Sequence, residues 1–356
     1  MWLKSLSYRG VRNLSPASFE FSQGVNWVVG ANGAGKSSIL ESVSLLATSR
    51  SFRGAEVGPV VQFGQSGLLV AGQVASADGA TSQIGVSRSR AGETIVKCDG
   101  ELLRRSSDLA RLLPSYVLDA GAIQRLYQGS SGRRALLDWG VFHVERAFGE
   151  VARAWRQALV SRNLLLKRGD ASQLPFWDQQ FVETSLQMEA LRREYYNAWL
   201  PHVTDIAQLL GLQGIRVSYR QGWAADDALV DVLQRNREQD IQTGRTSHGP
   251  HRSDLRLAGD VGSARETLSR GQQKALAASL ILGQLLVRHG STGQQPIALI
   301  DDLVAELDSQ RAAAVIALLR NHGVQTFCAV IELPTELVDL RQDVVIRVAD
   351  GQVESA

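Results

Sequence analysis

The stretch VNWVVGANGAGKSSILESVSLLA, residues 25–47, places a glycine-rich loop between an apolar run and a helical pattern. Residues 30–37 fit G-x-x-x-x-G-K-[ST], the spacing of a turn whose backbone wraps phosphate groups. The run that enters the loop is β-rich, and the residues that leave it put apolar side chains on one helix face: Ile39, Val43 and Leu46. A glycine-rich turn that matched this pattern by chance would not need a strand before it and a helix after it. The sequence therefore predicts a strand, a phosphate loop and a helix, within an α/β fold.

The residues of this loop predict a site for ATP with Mg²⁺. Gly30, Gly33 and Gly35 allow backbone N–H groups to approach the phosphates. Lys36 can reach the β and γ oxygens and is also predicted to be catalytic, and the Ser37 hydroxyl can bind Mg²⁺. The predicted ATP-binding set is the whole loop and the residues just after it: Gly30, Ala31, Asn32, Gly33, Ala34, Gly35, Lys36, Ser37 and Ser38.

A partner carboxylate for the loop is expected on a neighbouring strand. In PIALIDDLVAELD, residues 296–308, the apolar run 297–300 is typical of a strand buried on both faces. The run ends in Asp301, predicted to hold Mg²⁺, and Asp302, predicted as the catalytic residue that orients the attacking water. The alternative is a strand-end turn with two solvated acids. A phosphate loop in the same chain favours the nucleotide site.

A second anion-binding pattern occurs far along the chain, in LSRGQQKALAASL, residues 268–280. Ser269 is a good N-cap, and Gly271 allows the backbone to approach a ligand closely. Because helix N-termini bind phosphate groups, this segment can contact a nucleotide other than the one held by the loop. A well-capped structural helix is the alternative, and the segment taken by itself favours that alternative.

Composition and charge exclude several classes of protein. The formal net charge of +2 permits contact with nucleic acid but is far from that of a strongly basic chain. Cys98 and Cys328 are too few and too far apart for a disulfide framework or a zinc site, which favours a reducing compartment. The start, MWLKSLSYRG, lacks the apolar core of a signal peptide, and no apolar run is long enough to span a membrane. We expect a cytoplasmic protein with no membrane partner.

The middle of the chain has a helical pattern. Apolar residues recur in steps of three and four from Leu137 to Ala158 and again from Trp177 to Ala198. The segment Gly169 to Pro175 supplies a turn between the two runs, and Pro201 supplies a stop. These features predict an antiparallel helical hairpin in a compact lobe.

Taken in order, the segments resemble the ABC-type ATPase heads of SMC and related DNA-repair proteins, and most specifically the RecF family of bacterial recombination-repair ATPases. LDWGVFH and GPHR-S-D are not general nucleotide-binding motifs, so they make the resemblance specific. The segments that carry it run across nearly the whole chain: GVRNL (10–14), GANGAGKSS (30–38), SRSFRG (49–54), GRRALLDWGVFHVE (132–145), SRNLLLK (161–167), GPHRSDLRL (249–257), LSRGQQK (268–274) and LIDDLVAELD (299–308).

The resemblance implies an ABC-type P-loop ATPase head, discontinuous over residues 1–113 and 236–356, with an inserted compact helical lobe at 114–235. It implies an ATP-dependent homodimer, in which Lys36 and Ser37 of one chain bind ATP together with a signature segment of the other. The signature residues are Ser269, Arg270, Gly271 and Gln272. Slow, DNA-dependent hydrolysis through Asp302 would release the dimer. The implied partners are double-stranded DNA, gapped DNA and RecR, with RecO and RecA in the pathway.

The same resemblance predicts roles for several other residues. Arg12 is similar to an N-terminal arginine that lies near the nucleotide in related heads, and His251 is expected to be structural. Several arginines and lysines can contact DNA phosphates: Arg50, Arg53, Arg133, Arg134, Arg153, Arg156, Arg162, Lys167 and Arg168. Arg50 and Arg53 can alternatively lie close to the bound nucleotide. A solvated surface charge is the alternative for each of these cations.

The sequence also departs from the family pattern. Ala120 and Gly121 stand where a Pro-Glu pair is usual, so a nucleotide-sensing glutamine is not placed, although Gln124 is near. Ala305 replaces a usual serine, and no histidine or threonine occurs near Ile331 at the usual γ-phosphate-sensing position. These changes concern hydrolysis more than ATP binding. The alternatives are a structural DNA clamp that hydrolyses little ATP and an ABC ATPase subunit of another complex.

Overall fold

The computed structural model describes residues 1–54, 59–76, 79–103, 106–169, 172–302 and 307–355. The chain divides into two compact units. The first comprises Met1–Gln124, Ile206–Leu212 and Arg270–Ala356, and the second comprises Arg125–Asp205 and Gln213–Ser269.

Within the described ranges, two sheets form in the first unit and a strand pair in the second. The strands are β1 (Trp2–Arg9), β2 (Ala17–Glu20), β3 (Val25–Val29), β4 (Gly67–Ala75), β5 (Thr81–Ser89), β6 (Thr94–Cys98), β7 (Glu101–Leu102), β8 (Ser115–Leu118), β9 (Arg216–Arg220), β10 (Asp254–Ala258), β11 (Ile297–Asp301), β12 (Gln325–Val330), β13 (Val344–Ala349) and β14 (Gln352–Ser355). One sheet is antiparallel, in the order β2-β1-β4-β5-β6-β7. The other has the order β14-β13-β3-β12-β11-β8 and is parallel except for β14.

The helices confirm the α/β class predicted from the sequence. They are α1 (Lys36–Thr48), α2 (Ser106–Leu112), α3 (Ala120–Gln128), α4 (Ser130–Val144), α5 (Phe148–Arg168), α6 (Leu174–Leu209), α7 (Leu229–Arg235), α8 (Arg237–Thr243), α9 (Ala264–Thr267), α10 (Arg270–Thr292) and α11 (Ser309–Asn321). None of the helices in the described ranges is long and apolar enough to cross a membrane.

Helix α1 lies in the middle of the first unit and fixes the position of the phosphate loop. It contacts β4 and β5 of the antiparallel sheet and β3, β8, β11 and β12 of the parallel sheet. Nearly all of its residues are buried as a result, including polar Ser42 and Ser44. Every residue of β3 is buried as well, as expected for a central parallel strand. The loop between β3 and α1 is therefore held at both ends by the core.

Two buried arginines hold the second unit together. Arg162 of α5 has no exposed surface and donates to Asp178, Asp240 and Thr246 at 2.6–2.8 Å. Arg192 of α6 is paired with Asp138 and also donates to the Pro250 carbonyl and the Ser253 hydroxyl. Buried charges require paired acceptors. The bonds from Arg192 to Pro250 and Ser253 therefore give the GPHR-S-D segment a structural role.

Three sequence predictions about this region need correction. Pro201 does not stop a helix but lies inside α6, because buried apolar residues continue on both sides of it and offset the roughly 3 kcal/mol that an interior proline costs. The run from 137 to 158 is two helices, since Glu145 is extended at the end of α4. The boundaries at 113 and 236 also differ from the observed units. Residues 236–269 lie in the second unit, where β10 pairs with β9.

Candidate nucleotide site

The phosphate loop has the backbone that its glycines predict. Gly33 and Gly35 have φ angles of 81° and 119°, in the left-handed region that glycine adopts readily. A Cβ on Gly35 would lie 2.7 Å from Leu14 Cδ2, whereas a Cβ on Gly33 would meet no atom within 4 Å. The φ angle of Gly35 would strain any residue with a Cβ, and Gly33 leaves open space where a ligand can approach.

Contacts from distant parts of the chain brace the loop. The Asn13 side chain donates to the Gly33 carbonyl at 3.1 Å and accepts from the Ser38 hydroxyl at 3.1 Å. The Gly351 N–H donates to the Ala34 carbonyl at 2.8 Å. Asn13 was not predicted from the sequence, although it lies in the GVRNL segment that carries the family resemblance. Because these partners are not in the loop motif, the motif alone could not identify them.

Lys36 lies folded against the loop that precedes it. Its ammonium group donates to the carbonyls of Gly30 and Ala31 at 3.0 and 3.1 Å, and the residue is only 4% exposed. A buried ammonium needs acceptors, and here the loop carbonyls supply them. The charge is held at the mouth of the loop, where anionic oxygens can replace these carbonyls as partners.

Ser37 and Asp301 meet across the parallel sheet. The Ser37 hydroxyl donates to Asp301 Oδ1 at 2.8 Å, and so joins the start of α1 to the end of β11. Burial raises the pKa of Asp301 to about 6; the bond from Ser37 and the charge of Arg53 oppose the shift, and the charges of Asp302 and Asp119 add to it. A hydroxyl and a carboxylate are hard oxygen ligands of the kind Mg²⁺ takes, so these residues fit the ion.

Asp302 has an unusual backbone. Its φ is 58°, a conformation that costs a residue with a Cβ about 1–2 kcal/mol. The Asp302 N–H donates to the Ala329 carbonyl at 3.3 Å, and Oδ1 is buried without a hydrogen-bond partner among the described residues. Such strain and such a buried acceptor are common at functional sites. The Asp302 carboxylate can therefore accept a hydrogen bond from a water molecule.

Arg12 contacts a carboxylate of its own chain. Its Nε and Nη2 donate to the two oxygens of Glu41 at 2.8 and 2.9 Å, and Glu41 is fully buried. Ser51 also donates to this carboxylate. The bond to Glu41 is the largest cause of the raised pKa of Arg12. Arg12 thus neutralises a buried acid on α1, and its predicted contact with the nucleotide stays a prediction.

The signature segment begins α10. Ser269 directly precedes the helix, and both Ser269 and Arg270 are exposed. A Cβ on Gly271 would meet no atom within 4 Å. From Ala275 to Arg288 the helix is almost entirely buried, and its last turn is exposed again. The first turn of α10 is therefore accessible, whereas the middle of the helix is buried.

The structure divides the predicted DNA-contacting cations into two groups. Arg133 is paired with Asp254, Arg134 donates to the Ser253 carbonyl, and Arg162 is fully buried. The prediction is wrong for Arg162, whose charge is used inside the second unit. Exposed members of the set include Arg153, Arg156, Lys167 and Arg168. His251 contacts the Thr246 carbonyl at 2.9 Å, and burial lowers its pKa to about 4, in keeping with a structural role.

The departures from the family pattern can be located in part. Ile331 directly follows β12 and is exposed, next to Val330, whose carbonyl accepts the Gly30 N–H at 3.2 Å. Gln124 lies exposed on α3. Ala305 lies outside the described residues.

Comparison with known proteins accounts for these features together. Residues 2–354 match the family described as RecF/RecN/SMC N terminal domain. The DNA replication and repair protein RecF of Pseudomonas entomophila (strain L48) is 39% identical over 336 residues, 93% of this chain and 91% of that protein. The protein of the same name from Pseudomonas aeruginosa (strain LESB58) is 37% identical over 335 residues, again 93% of this chain and 91% of that protein.

Solved structures agree with the sequence comparison. The structure of the recombination mediator protein RecF-ATP in the RecFOR pathway has a TM-score of 0.88 at 25% identity, over 100% of this chain and 97% of that one. An Smc head bound to the C-terminal winged helix domain of ScpA has a TM-score of 0.60 at 16% identity, over 99% and 96% of the two chains, which shows a shared fold. The predicted ABC-type ATPase head is thereby confirmed.

Proposed function

The chain belongs to the RecF family of DNA replication and repair proteins, and we propose that it is an ATPase whose ATP-bound dimer holds DNA during recombinational repair and replication restart. The family and the fold are those of ABC-type ATPases, which bind and hydrolyse ATP. The dependence of hydrolysis on DNA and its slow rate are part of the proposal. The bond between Ser37 and Asp301 is the observation that carries it, because it joins the phosphate loop to a carboxylate-tipped strand within one chain.

Each residue of the site has a part in the proposed reaction. Loop N–H groups and the Lys36 ammonium bind the phosphates and offset the charge that develops on the γ-phosphate. Ser37 and Asp301 would hold Mg²⁺, which when bound neutralises phosphate charge. The Asp302 carboxylate accepts a proton of the attacking water and orients it toward the γ-phosphate. Excluding bulk water from the bound nucleotide requires another protein surface over the phosphate loop.

A second copy of the chain would provide that surface. Ser269 directly precedes α10, and Arg270, Gly271 and Gln272 begin its accessible first turn, which favours an anion. In a two-fold dimer the same contact occurs twice, so two ATP molecules are enclosed. ATP then stabilises the dimer by mass action, and hydrolysis removes this stabilisation.

The proposed partners follow from the family. Relatives are named as DNA replication and repair proteins, and one solved relative is described as a recombination mediator of the RecFOR pathway. We therefore expect contact with double-stranded DNA and gapped DNA, binding to RecR, and action in the cytoplasm with RecO, before RecA loads. Exposed Arg153, Arg156, Lys167 and Arg168 are the candidate contacts with DNA phosphates.

Light scattering with and without ATP, combined with DNA binding, tests the proposal. We expect the mass to double when ATP and Mg²⁺ are added, and gapped DNA to bind the dimer more tightly than the monomer. ADP serves as the control because it lacks the γ-phosphate that the signature segment would contact. An unchanged mass with ATP, or equal DNA affinity in both states, would contradict the dimer clamp.

A clamp that hydrolyses little ATP is the second candidate. Ile331 is its specific support, since it stands beside the loop at the position where a polar γ-phosphate sensor is usual. A single-turnover assay with DNA distinguishes the two candidates. ATP that remains intact on the dimer for hours would favour the passive clamp.

A further inference from the structure

The C-terminal end of α1 fixes the backbone of Arg50 and leaves its side chain on the surface. Helix α1 ends at Thr48, and Ser49 caps it with a φ of 55°. The Ser44 hydroxyl donates to the Arg50 carbonyl at 3.1 Å, and the Arg50 N–H donates to Thr48 Oγ1 at 3.2 Å. Arg50 itself is exposed. Its side chain therefore leaves the helix end at a fixed point and extends into solvent.

Arg88 of β5 reaches the same helix end. Its Nη1 donates to the Ser49 carbonyl at 3.1 Å, and its Nε is buried without a hydrogen-bond partner among the described residues. Burial and the charge of Arg50 lower the pKa of Arg88, so the two cations lie near each other. In the part of the chain that the structure describes, neither arginine forms an ion pair with a carboxylate.

A helix cap accounts for one of these cations but not for both. A cation at a helix C-terminus is stabilising because the last carbonyls carry partial negative charge, and Arg88 meets this need through the Ser49 carbonyl. A second cation adds repulsion. Arg12 and Arg162, which are also withdrawn from water, each pair with a carboxylate. Arg50 and Arg88 have no such partner in the described chain, so an anion from another molecule would offset their charge.

We propose that Arg50 and Arg88 bind a phosphate group of the DNA backbone at the C-terminal end of α1. The inference rests on the proposed function, in which the protein holds DNA. Phosphate oxygens accept paired hydrogen bonds from guanidinium groups, and the phosphate charge offsets both cations. Helix α1 has 13 residues, a length of about 20 Å, and begins with Lys36 and Ser37. The same buried helix thus has the nucleotide phosphates at its start and the DNA phosphate at its end.

Substitution of either arginine should weaken DNA binding and reduce its dependence on salt. We expect Arg50→Gln and Arg88→Gln each to lower the affinity for duplex DNA by roughly tenfold, as the loss of one charged hydrogen bond predicts. Fluorescence anisotropy with ATP present measures it. The slope of log affinity against log KCl concentration should fall by about one, because one phosphate contact is lost. The double variant should lose less than the sum of the two single effects, since both arginines hold the same phosphate. Arg88→Lys keeps the charge and should recover part of the affinity.

Two controls separate this site from damage to the fold and from a general loss of charge. Arg88→Gln should bind a fluorescent ATP analogue without DNA within about twofold of the wild type, because the phosphate loop lies at the other end of α1. Arg347→Gln removes an exposed arginine of β13 and should keep the wild-type DNA affinity. Arg50 is exposed, so Arg50→Gln tests the inference even if Arg88→Gln is unstable.

The outcomes that overturn the inference differ from those that contradict the proposed function. Unchanged DNA affinity and salt slope in Arg50→Gln and Arg88→Gln would overturn it and leave Arg88 as a helix cap. Thermal stabilisation by inorganic phosphate that disappears in Arg88→Gln, without a change in DNA affinity, would also overturn it, because the site would then take free phosphate. A wild-type protein that binds no duplex DNA in the presence of ATP would instead contradict the proposed function itself.

Discussion

The phosphate loop and the signature segment differ in how much of their surroundings comes from the same chain. Around the loop, Lys36 is buried on loop carbonyls, Ser37 is bound to Asp301, and Asn13 braces Gly33. The loop is thus held in one conformation by partners from its own chain.

At the signature segment the situation is reversed. Ser269 and Arg270 are exposed, and there is open space beside Gly271, although α10 is almost entirely buried from Ala275 to Arg288. The helix is anchored while its first turn faces outward. The difference agrees with the proposed division of the nucleotide site, in which the loop is supported by its own chain and the signature segment contacts a second copy.

Substitution of Lys36 tests the first half and should have the largest effect. Lys36→Ala removes a buried charge that pairs with phosphate, a loss of about 3–5 kcal/mol, which is roughly a thousandfold in affinity. Equilibrium titration with a fluorescent ATP analogue measures it. Lys4→Ala, an exchange at a lysine of β1, is the control. A loss of less than tenfold would mean that the loop does not use Lys36 to bind ATP.

Asp302→Asn should separate binding from hydrolysis. Asparagine cannot accept a proton, so we expect the single-turnover rate to fall about a hundredfold while ATP affinity is kept. The dimer should then accumulate, which light scattering with ATP detects. Loss of nucleotide binding in this variant would make Asp302 a binding residue instead.

Ser269→Arg tests the second half of the site. A bulky cation beside Arg270 should weaken ATP-dependent dimerisation by at least about tenfold, through steric overlap and repulsion at a contact that is otherwise open. The affinity of the monomer for ATP should stay within about twofold, because the loop is complete without this segment. Thr267→Arg is the control, since Thr267 is also exposed and lies two residues before the signature segment begins. Equal loss in both variants would point to general charge repulsion.

The smallest effect concerns the strained backbone at Asp302. Asp302→Gly should raise the free energy of unfolding by about 1 kcal/mol, because glycine adopts a φ of 58° without the clash of a Cβ. Hydrolysis should be lost in the same variant. Chemical denaturation measures the stability. A decrease in stability would show that the Asp302 side chain contributes more to folding than its backbone conformation costs.

The sequence could predict the parts of the site that depend on local patterns. The loop, its flanking strand and helix, and the buried strand ending in Asp301 each have a motif with its own spacing. The α/β class follows from them. These predictions succeed because the same residues that define the motif also form the structure.

Features that depend on distant partners could not be predicted. The pairing of Arg12 with Glu41, the burial of Arg162 and the passage of α6 through Pro201 all result from contacts with residues far along the chain or from burial of both sides of a helix. Asp119 is a similar case, since only the pairing of β8 with β11 brings it level with Asp301. A single amino-acid sequence contains no pattern that identifies such distant residue pairs.

The position of β13 has a consequence for synthesis. Strand β3 pairs with β13, and the Gly351 N–H braces Ala34, so residues 344–351 complete the surroundings of a loop near the start of the sequence. A ribosome makes these residues long after residues 30–37 have left the exit tunnel. The growing polypeptide thus has no finished ATP site. A nascent chain whose synthesis has not yet reached residue 344 should neither bind nucleotide nor associate with a second copy.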